Sequence, residues 1–193
     1  DHDVSENAAY GVKLAQQLVG IVGEALGKLA PARVNYTHAR CGFAMNRRLP
    51  VRLGFNNSPY PDGPVDHDVP VLEVAGPDGK ELRAVMFGYA CHNTTLALQT
   101  FNGDYAGYAQ QNLEKAHPGA VALFMNGCSG DQNPYPRGTV ELAQTHGRTL
   151  ATAVEAALTV VQKRAVQGPV RAAFERIDLA FGKPPTKEDL EAG

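Results

Sequence analysis

The fold is decided by two apolar runs and by the polar segments that follow them. VMFGYA at residues 85–90 leads into CHNTT at 91–95, and AVALFMN at 120–126 leads into GCSGDQNP at 127–134. Short apolar runs that end in polar, turn-forming residues are typical of buried strands followed by loops. Loops that leave the carboxyl ends of strands form the binding crevice of open α/β sheets. We therefore expect these two loops to form one site.

The segments on either side of these runs predict the rest of a sheet. Residues 69–75 and 82–90 are apolar and are joined by GPDG, a strong turn signal, which predicts a β-hairpin. Residues 104–117 predict a short helix with Asp104 as its N-cap. Weak alternation of apolar and polar residues predicts one more strand at 33–43, and mixed alternation predicts another at 170–181.

Two longer helices are predicted at residues 1–29 and 139–165, where apolar residues recur three and four positions apart. Residues 44–68 are rich in Pro, Gly, Asn and Asp and predict one long loop, a kind of loop that is usually functional or disordered. This loop is either a solvated basic segment or a source of hydrogen-bond donors for the site. Its candidate donors are Asn46, Arg47, Arg48 and Arg52.

Together these elements predict an α/β fold with a mixed β-sheet core flanked by long helices. The 193 residues fit one domain or a large piece of a bigger one, and 44% hydrophobic and 20% charged residues are ordinary for a globular protein. We expect residues 1–193 to be a single, partial domain, because the chain starts without Met and its last ten residues resemble the first turn of a further helix.

Charge and hydropathy narrow the classes of partner. A net charge of −2 gives no reason to expect nucleic acid or an anionic membrane surface. No apolar run approaches the roughly 20 residues that span a bilayer, so we expect no transmembrane segment. Cys41, Cys91 and Cys128 are an odd number of widely spaced cysteines, which fits either free thiols or one disulfide with one free thiol.

His92 is the sharpest candidate among the histidines, because it follows a predicted strand end. It is either a metal ligand, a common role of a neutral imidazole, or a residue that only hydrogen-bonds its loop. The sequence beside it holds no second ligand at a metal-site spacing. The other candidates are His2 with Asp1 and Asp3, His67 between Asp66 and Asp68, and three histidines expected at the surface or in packing, His38, His117 and His146.

A nucleophile in the second loop is a weaker hypothesis. Gly127, Cys128, Ser129 and Gly130 give G-x-S-G, one residue short of the G-x-S-x-G nucleophile elbow. Cys128 as a thiolate needs a neighbouring histidine, which the sequence does not supply nearby.

Over about residues 10–165 the chain resembles the N-terminal catalytic domain of neutral/alkaline non-lysosomal ceramidases and their bacterial relatives. The motifs that carry the resemblance keep their order along the chain. They are LAPARVNY after the first helix, Asn-Arg-Arg at 46–48, Val-Asp before PVLEV, the CHNTT loop, GDYAGYA, and the strand and loop FMNGCSGDQNP.

The resemblance implies a secreted or periplasmic, zinc-dependent amidohydrolase that cleaves the N-acyl bond of ceramide or a related amide. It implies that His92 is a ligand of one zinc ion and that Arg47 lies near the substrate. Asp131 and Pro134 match a Gly-Asp-x-Ser-Pro-Asn motif in which the Ser has a catalytic role, but Asn133 occupies the position of that Ser.

The other zinc ligands that the resemblance implies, a His upstream and a Glu and a Tyr downstream, fall outside this chain. We therefore expect the fragment by itself to be inactive and water to be the nucleophile in the complete enzyme. Arg47 then stabilises the oxyanion and Asn133 donates a hydrogen bond. The alternatives are a non-catalytic module of the same fold that binds a lipid or glycan, and a hydrolase that uses Cys128 or Ser129.

Overall fold

The computed structural model describes residues 4–191 of the 193-residue chain. Residues 1–32 and residues 33–193 form two compact units. The helices and strands, in chain order, are α1 (Val4–Gly27), β1 (Arg33–Arg40), β2 (Ala44–Asn46), β3 (Arg48–Val51), β4 (Gly54–Asn57), β5 (Asp68–Ala75), β6 (Leu82–Tyr89), α2 (Asp104–Ala116), β7 (Val121–Asn126), β8 (Gln132–Pro134), α3 (Val140–Leu158), β9 (Arg164–Val166) and α4 (Lys187–Glu191).

Helix α1 makes up the first unit and confirms the predicted first helix within the described residues. Its 24 residues end four positions before Pro31, a residue that cannot continue a helix without losing a backbone hydrogen bond. None of the helices between residues 4 and 191 combines the length and the hydropathy that crossing a bilayer requires. A single domain over residues 1–193 stays a prediction.

The second unit is built on a five-stranded sheet in the order β7-β6-β5-β1-β9. β5 and β6 form the predicted antiparallel hairpin, with Val71 opposite Phe87 and Leu72 opposite Met86. Gly79 closes its turn at a φ of 76°, a conformation that glycine adopts without steric cost. β1 pairs antiparallel with β5 and β9, whereas β6 pairs parallel with β7. The predicted α/β class with a mixed sheet is therefore confirmed.

One face of the sheet carries the core. Alternate residues of the hairpin point to the same face and are at most 1% exposed; they are Val69, Val71, Val85, Phe87 and Tyr89. Tyr105, Ala109 and Leu113 of α2 and Leu150 and Val154 of α3 complete this cluster from the helical side. Each fully buried aliphatic or aromatic side chain contributes about 1.5–3 kcal/mol, so this layer dominates the stability of the unit.

Helices α2 and α3 approach each other closely at Gly147. A Cβ atom at this position would lie 2.5 Å from the Cβ of Tyr108 and 2.9 Å from the carbonyl oxygen of Tyr105. Only a residue without a side chain fits such a crossing, since interiors are packed as densely as organic crystals. At the far end of the pair, His117 Nε2 lies 2.8 Å from Glu155 Oε1.

Two buried tyrosine hydroxyls join the sheet to the segments that follow it. Tyr89 Oη donates to the carbonyl oxygen of Cys41 at 2.7 Å and accepts from the amide of Ala44 at 3.0 Å. Tyr105 Oη donates to the carbonyl oxygen of Cys91 at 2.6 Å. Burial raises the pKa of both tyrosines, so both hydroxyls stay protonated donors at neutral pH.

The ring of Phe43 packs edge-on against both tyrosine rings, with centroids 4.9 Å from Tyr89 and 5.0 Å from Tyr105. On its other side Phe43 stacks on His146 at 4.4 Å, and His146 Nε2 lies 2.7 Å from the carbonyl oxygen of Pro136. His146 is therefore one of the predicted packing residues. Because the four rings of Phe43, Tyr89, Tyr105 and His146 are buried, the aromatic cluster fixes where the chain enters β2.

The strand predicted at residues 170–181 is wrong. These residues form neither helix nor strand, and Val170, Phe174 and Phe181 are at least 89% exposed. Period-two alternation favours a strand only where a partner strand supplies hydrogen bonds, and this segment pairs with none of the described strands. The last strand of the sheet is instead β9, three residues that pair with β1.

Helix α3 begins where predicted, with Thr139 as the N-cap accepting from the amide of Leu142, but it ends at Leu158 rather than at 165. Lys163 lies beyond this end of the helix. Its ammonium group lies 2.7 Å from Glu73 Oε1 on β5, an ion pair that helps to hold the chain beside the sheet.

Residues 44–68, predicted as one loop, contain three short strands. β3 and β4 form a small antiparallel hairpin, with Arg48 opposite Asn57. β2 pairs with β8, 86 to 90 positions away along the chain, with Met45 opposite Asn133. Strands of three and four residues give little periodic signal, and the partner of β2 is distant in sequence.

The prediction that Asp104 is the N-cap of α2 is wrong. The N-cap is Gly103. Asp104 lies inside the helix start at a φ of 49°, and its carboxylate accepts from the amides of Thr95 at 3.1 Å, Leu96 at 2.8 Å and Tyr105 at 2.7 Å. Asparagine and aspartate tolerate this left-handed conformation better than most residues. The carboxylate thus satisfies the backbone of the loop after β6 as well as that of the helix.

Replacing Tyr105 by Phe should destabilise the protein by about 1–3 kcal/mol, because the buried carbonyl of Cys91 loses its donor while the ring packing is kept. Urea unfolding followed by circular dichroism measures the loss. Tyr108→Phe removes a hydroxyl from the same helix at a half-buried position and should cost less than about 0.5 kcal/mol. Equal midpoints for the two variants would contradict this role of the Tyr105 hydroxyl.

Candidate functional site

The parallel pairing of β6 and β7 brings the two polar loops together. Tyr89 is level with Asn126 at the carboxyl ends of the two strands. The amide of Gly127 donates to the carbonyl oxygen of Tyr89, and the amide of His92 donates to the carbonyl oxygen of Gln132, each at 3.0 Å. The expected juxtaposition of the loops after these strands is therefore observed.

His92 and Ser129 face each other across the two loops. His92 Nδ1 lies 3.2 Å from Ser129 Oγ, which also accepts a hydrogen bond from Asn126 Nδ2 at 3.0 Å. Ser129 is 6% exposed, while the imidazole of His92 is partly exposed. No pattern in the sequence paired these two residues. The signal that predicts their contact is that each follows the end of one of two adjacent parallel strands.

The environment of His92 favours the neutral imidazole. Partial burial lowers its pKa below the usual 6.5, and the positive charges of Arg47 and Arg48 lower the pKa further. A neutral ring carries one protonated and one unprotonated nitrogen. His92 is therefore able to act as a ligand or a base at neutral pH.

Arg47 and Arg48 lie beside this pair, and both reach the second loop. The amide of Arg47 donates to the carbonyl oxygen of Asp131 at 2.7 Å. Arg47 Nη2 donates to the carbonyl oxygen of Gly130 at 3.0 Å, and Arg48 Nη2 donates to the same oxygen at 3.1 Å. Arg52, the other predicted basic donor, lies in the exposed turn between β3 and β4.

Asn46 fixes the position of this arginine segment. It is 2% exposed, and its Nδ2 donates to the carbonyl oxygen of Pro64 at 2.8 Å and to Asp131 Oδ2 at 3.2 Å. Its Oδ1 accepts from the amide of Arg48 at 2.8 Å. The carboxylate of Asp131 is thus engaged with Asn46.

Asn133 is buried at the site and bonds to the first of the two loops. It is 1% exposed, on β8, and its Oδ1 accepts from the hydroxyl of Thr94 at 3.3 Å. That bond orients the amide so that its NH₂ group points away from Thr94. The contact also links the CHNTT loop to the position where the ceramidase motif has Ser.

The cysteines are free thiols, which answers the question that their number left open. Cys41 and Cys91 are buried, whereas Cys128 is exposed. Burial raises the pKa of Cys41 to about 11, so this thiol is inert at neutral pH. Cys128 makes no hydrogen bond with any histidine in the described part of the chain, which leaves its use as a nucleophile unsupported.

The other candidate histidines contact groups outside this site. His38 Nδ1 lies 2.8 Å from Asp68 Oδ1, and His67 Nε2 lies 2.9 Å from the carbonyl oxygen of Ala44. His117 joins α2 to α3 and His146 belongs to the aromatic cluster. The cluster of His2 with Asp1 and Asp3 lies outside the described residues.

A zinc site is not complete among residues 4–191. No three His, Cys, Asp or Glu side chains in this range gather closely enough to hold a metal ion. His92 is the one predicted ligand at the strand ends, and the nearest charges that act on it are those of Arg47 and Arg48. Within this range His92 is able to supply one ligand of a metal site, and the remaining ligands are absent.

Solved structures share this arrangement of strands and helices. The neutral ceramidase from Pseudomonas aeruginosa matches 77% of this chain with a TM-score of 0.60 and 20% sequence identity. The chain has a ceramidase-like fold. A ceramidase complexed with C2 matches 75% of the chain with a TM-score of 0.61, again at 20% identity.

The chain spans about a quarter of these solved ceramidases, 26% of the first and 25% of the second. No protein-family model matches the sequence. No curated protein matches it either. At 20% identity the likeness establishes the ceramidase-like fold, and the roles of individual residues rest on the geometry described above.

Replacing Asn46 by Ala should destabilise the protein by at least about 2 kcal/mol, because the carbonyl of Pro64 and the amide of Arg48 lose a buried partner. Urea unfolding provides the measurement. Asn57→Ala, at an exposed position of β4, is the matched control and should change stability by less than about 0.5 kcal/mol. A loss at Asn46 no larger than that at Asn57 would rule out the anchoring role.

Proposed function

We propose that this chain is part of a zinc-dependent hydrolase of the neutral ceramidase type, which cleaves an N-acyl amide bond with water as the nucleophile. The observation that carries the proposal is the convergence of His92, Arg47 and Asn133 at the carboxyl ends of β6 and β7. The ceramidase-like fold supports the same reaction class. We propose ceramide or a related amide as the substrate and a secreted or periplasmic location.

In this proposal His92 is one ligand of the zinc ion. Its ring is partly exposed, its pKa is lowered, and Ser129 contacts Nδ1, which leaves Nε2 for the metal. Residues beyond the described range complete the ligand set. A bound zinc ion would lower the pKa of a coordinated water and polarise the amide carbonyl.

Arg47 acts on the charge that develops at the carbonyl oxygen. Its guanidinium group is held at the rim of the site by two hydrogen bonds to the carbonyl oxygen of Gly130, from Nε at 3.3 Å and Nη2 at 3.0 Å. A donor placed in advance at a developing oxyanion contributes about 2.7–4 kcal/mol to transition-state stabilisation. Arg47 therefore needs little reorganisation when the substrate carbonyl becomes charged.

Asn133 and Asp131 support this centre in different ways. The NH₂ group of Asn133 is the proposed donor to the substrate or to an intermediate, because Thr94 already occupies its oxygen. An amide is neither a nucleophile nor a general base, so it stabilises and does not attack. The carboxylate of Asp131 holds Asn46, and we assign it to positioning the arginine segment rather than to proton transfer.

Substituting His92 by Ala in the full-length protein should remove most of the bound zinc and lower kcat/KM for an N-acyl amide by at least about 100-fold. Zinc content by mass spectrometry and amide hydrolysis are the two measurements. His38→Ala is the matched control, because His38 is exposed and its contacts, a bond to Asp68 and stacking on Tyr36, lie outside the site. Full zinc occupancy in the His92 variant would overturn the proposal, and binding without hydrolysis by the wild type would favour the non-catalytic module.

A second candidate function rests on the contact between Ser129 and His92. If Ser129 Oγ donates to His92 Nδ1, the pair has the geometry of a nucleophile and its base. No carboxylate among the described residues hydrogen-bonds His92 to orient it, as a complete triad requires. The zinc proposal needs the opposite polarity, with Nδ1–H donating to Ser129 and Nε2 unprotonated.

The tautomer of His92 distinguishes the two candidates. We expect the Nδ1–H form, measured by long-range ¹H–¹⁵N correlation spectra of the metal-free, ¹⁵N-labelled full-length protein at pH 8, with the signal assigned through His92→Gln. Ser129→Ala removes the partner of Nδ1 and should leave a mixture of tautomers. A pure Nε2–H form in the wild type would favour the serine hydrolase instead.

A further inference from the structure

Two guanidinium groups converge on one carbonyl oxygen at the rim of the site. Arg47 and Arg48 donate to the oxygen of Gly130 at 3.0 and 3.1 Å, so the two cations lie side by side. Like charges at this separation repel, and a single neutral carbonyl compensates neither of them. The pair therefore presents two adjacent positive charges to an anion at the rim of the site.

The fold holds both arginines in this position. The backbone amide of Arg47 is bonded to Asp131 O, and that of Arg48 to the buried side chain of Asn46. Both side chains turn toward Gly130 rather than along the exposed hairpin that follows them. Backbone bonds thus hold the main chain of both arginines, and the second loop holds their side chains. Their convergence is therefore a structural feature of the site.

No acidic side chain in the described part of the chain forms an ion pair with either arginine. The ion pairs within 4.0 Å among residues 4–191 involve neither Arg47 nor Arg48. Asp131 is the nearest acid in sequence to Gly130, and its Oδ2 accepts from Asn46. The positive charge therefore faces the opening of the site, where Arg47 is half-buried and Arg48 is exposed.

The pair lies next to the proposed reaction centre. Gly130 follows Ser129, whose hydroxyl is 3.2 Å from the imidazole of His92. The field of both arginines reaches that ring, since both lower the pKa of His92. A group bound by the pair would thus sit beside a scissile amide. One guanidinium is sufficient for a developing oxyanion, which leaves the charge of Arg48 without a part in the reaction described so far.

We propose that Arg48 binds an anionic group of the substrate, so that the amide cleaved carries a carboxylate or phosphate beside the scissile bond. N-acyl amino acids are the simplest members of this class, because a carboxylate matches the planar fork of a guanidinium. Hydrolysis breaks the acyl C–N bond, adds the hydroxyl of water to the acyl carbon and transfers its proton to the amine. The products are a fatty acid and an amino acid. This inference rests on the proposed function and names its substrate class.

Matched substrates test it in the full-length protein. N-lauroylglycine and N-lauroyl-phosphoethanolamine carry the anion, and N-lauroylethanolamine is neutral with the same acyl chain. We expect the wild type to favour each anionic amide by about 10-fold or more in kcat/KM, the value of one charge-assisted hydrogen bond. Arg48→Gln should lower that ratio by about 10-fold, and Arg52→Gln, which removes the same charge from the nearby turn, should leave it unchanged.

The outcomes separate the two proposals. Equal kcat/KM for anionic and neutral amides, or an equal effect of Arg48→Gln and Arg52→Gln on their ratio, would overturn the inference and leave the hydrolase intact. If the wild type hydrolyses none of the three, the proposed function fails, and calorimetric binding of the same compounds then decides the inference. Tighter binding of the anionic amides that weakens as NaCl rises from about 0.05 to 0.5 M would support it, and equal, salt-independent binding would overturn it.

Discussion

The structure depends on two buried hydroxyl groups that bond to backbone rather than to side chains. Tyr89 ties β6 to the segment that enters β2, and Tyr105 ties α2 to the residue before His92. Phe43 packs edge-on against both of their rings. The partners of these hydroxyls are backbone groups, which have no side-chain rotamers to change. These bonds therefore set the distance between the arginine segment and the histidine loop. The geometry of the candidate site at the strand ends therefore depends on the hydrophobic layer beneath it.

Local patterns were enough to predict the elements that carry their own signal. The β5–β6 hairpin has an apolar run on each side of a Gly-Pro-Asp-Gly turn, and α2 and α3 have apolar stripes that face the sheet. The mixed sheet follows from the alternation of these elements, and the placing of both polar loops follows from parallel pairing of β6 and β7. These predictions rest on interactions between residues that are close in sequence, or on a rule that holds for whole sheets.

Other features depend on partners that a linear pattern does not reveal. β2 is three residues long and exists because β8 lies beside it, and residues 170–181 have the alternation of a strand but no partner among the described strands. Aspartate is a common N-cap residue, yet Asp104 is the first residue inside the helix, where its carboxylate accepts from the amides of Thr95 and Leu96. The contact of Ser129 with His92 likewise joins residues 37 positions apart. In each case the outcome depends on whether a partner distant in sequence is present, which the local pattern does not reveal.

The close crossing of α2 and α3 at Gly147 carries a consequence for how variation in this protein is interpreted. A methyl group there would press on Tyr108 and on the carbonyl of Tyr105, and α2 would have to slide away from α3. That movement would pull the hydroxyl of Tyr105 from Cys91 and release the loop of His92. In a saturation mutagenesis screen scored by the proposed amide hydrolysis, position 147 would rank beside the proposed site residues although it touches none of them. Intolerance to substitution along this helix would then mark the residues that position the loop of His92, and not the residues of the site itself.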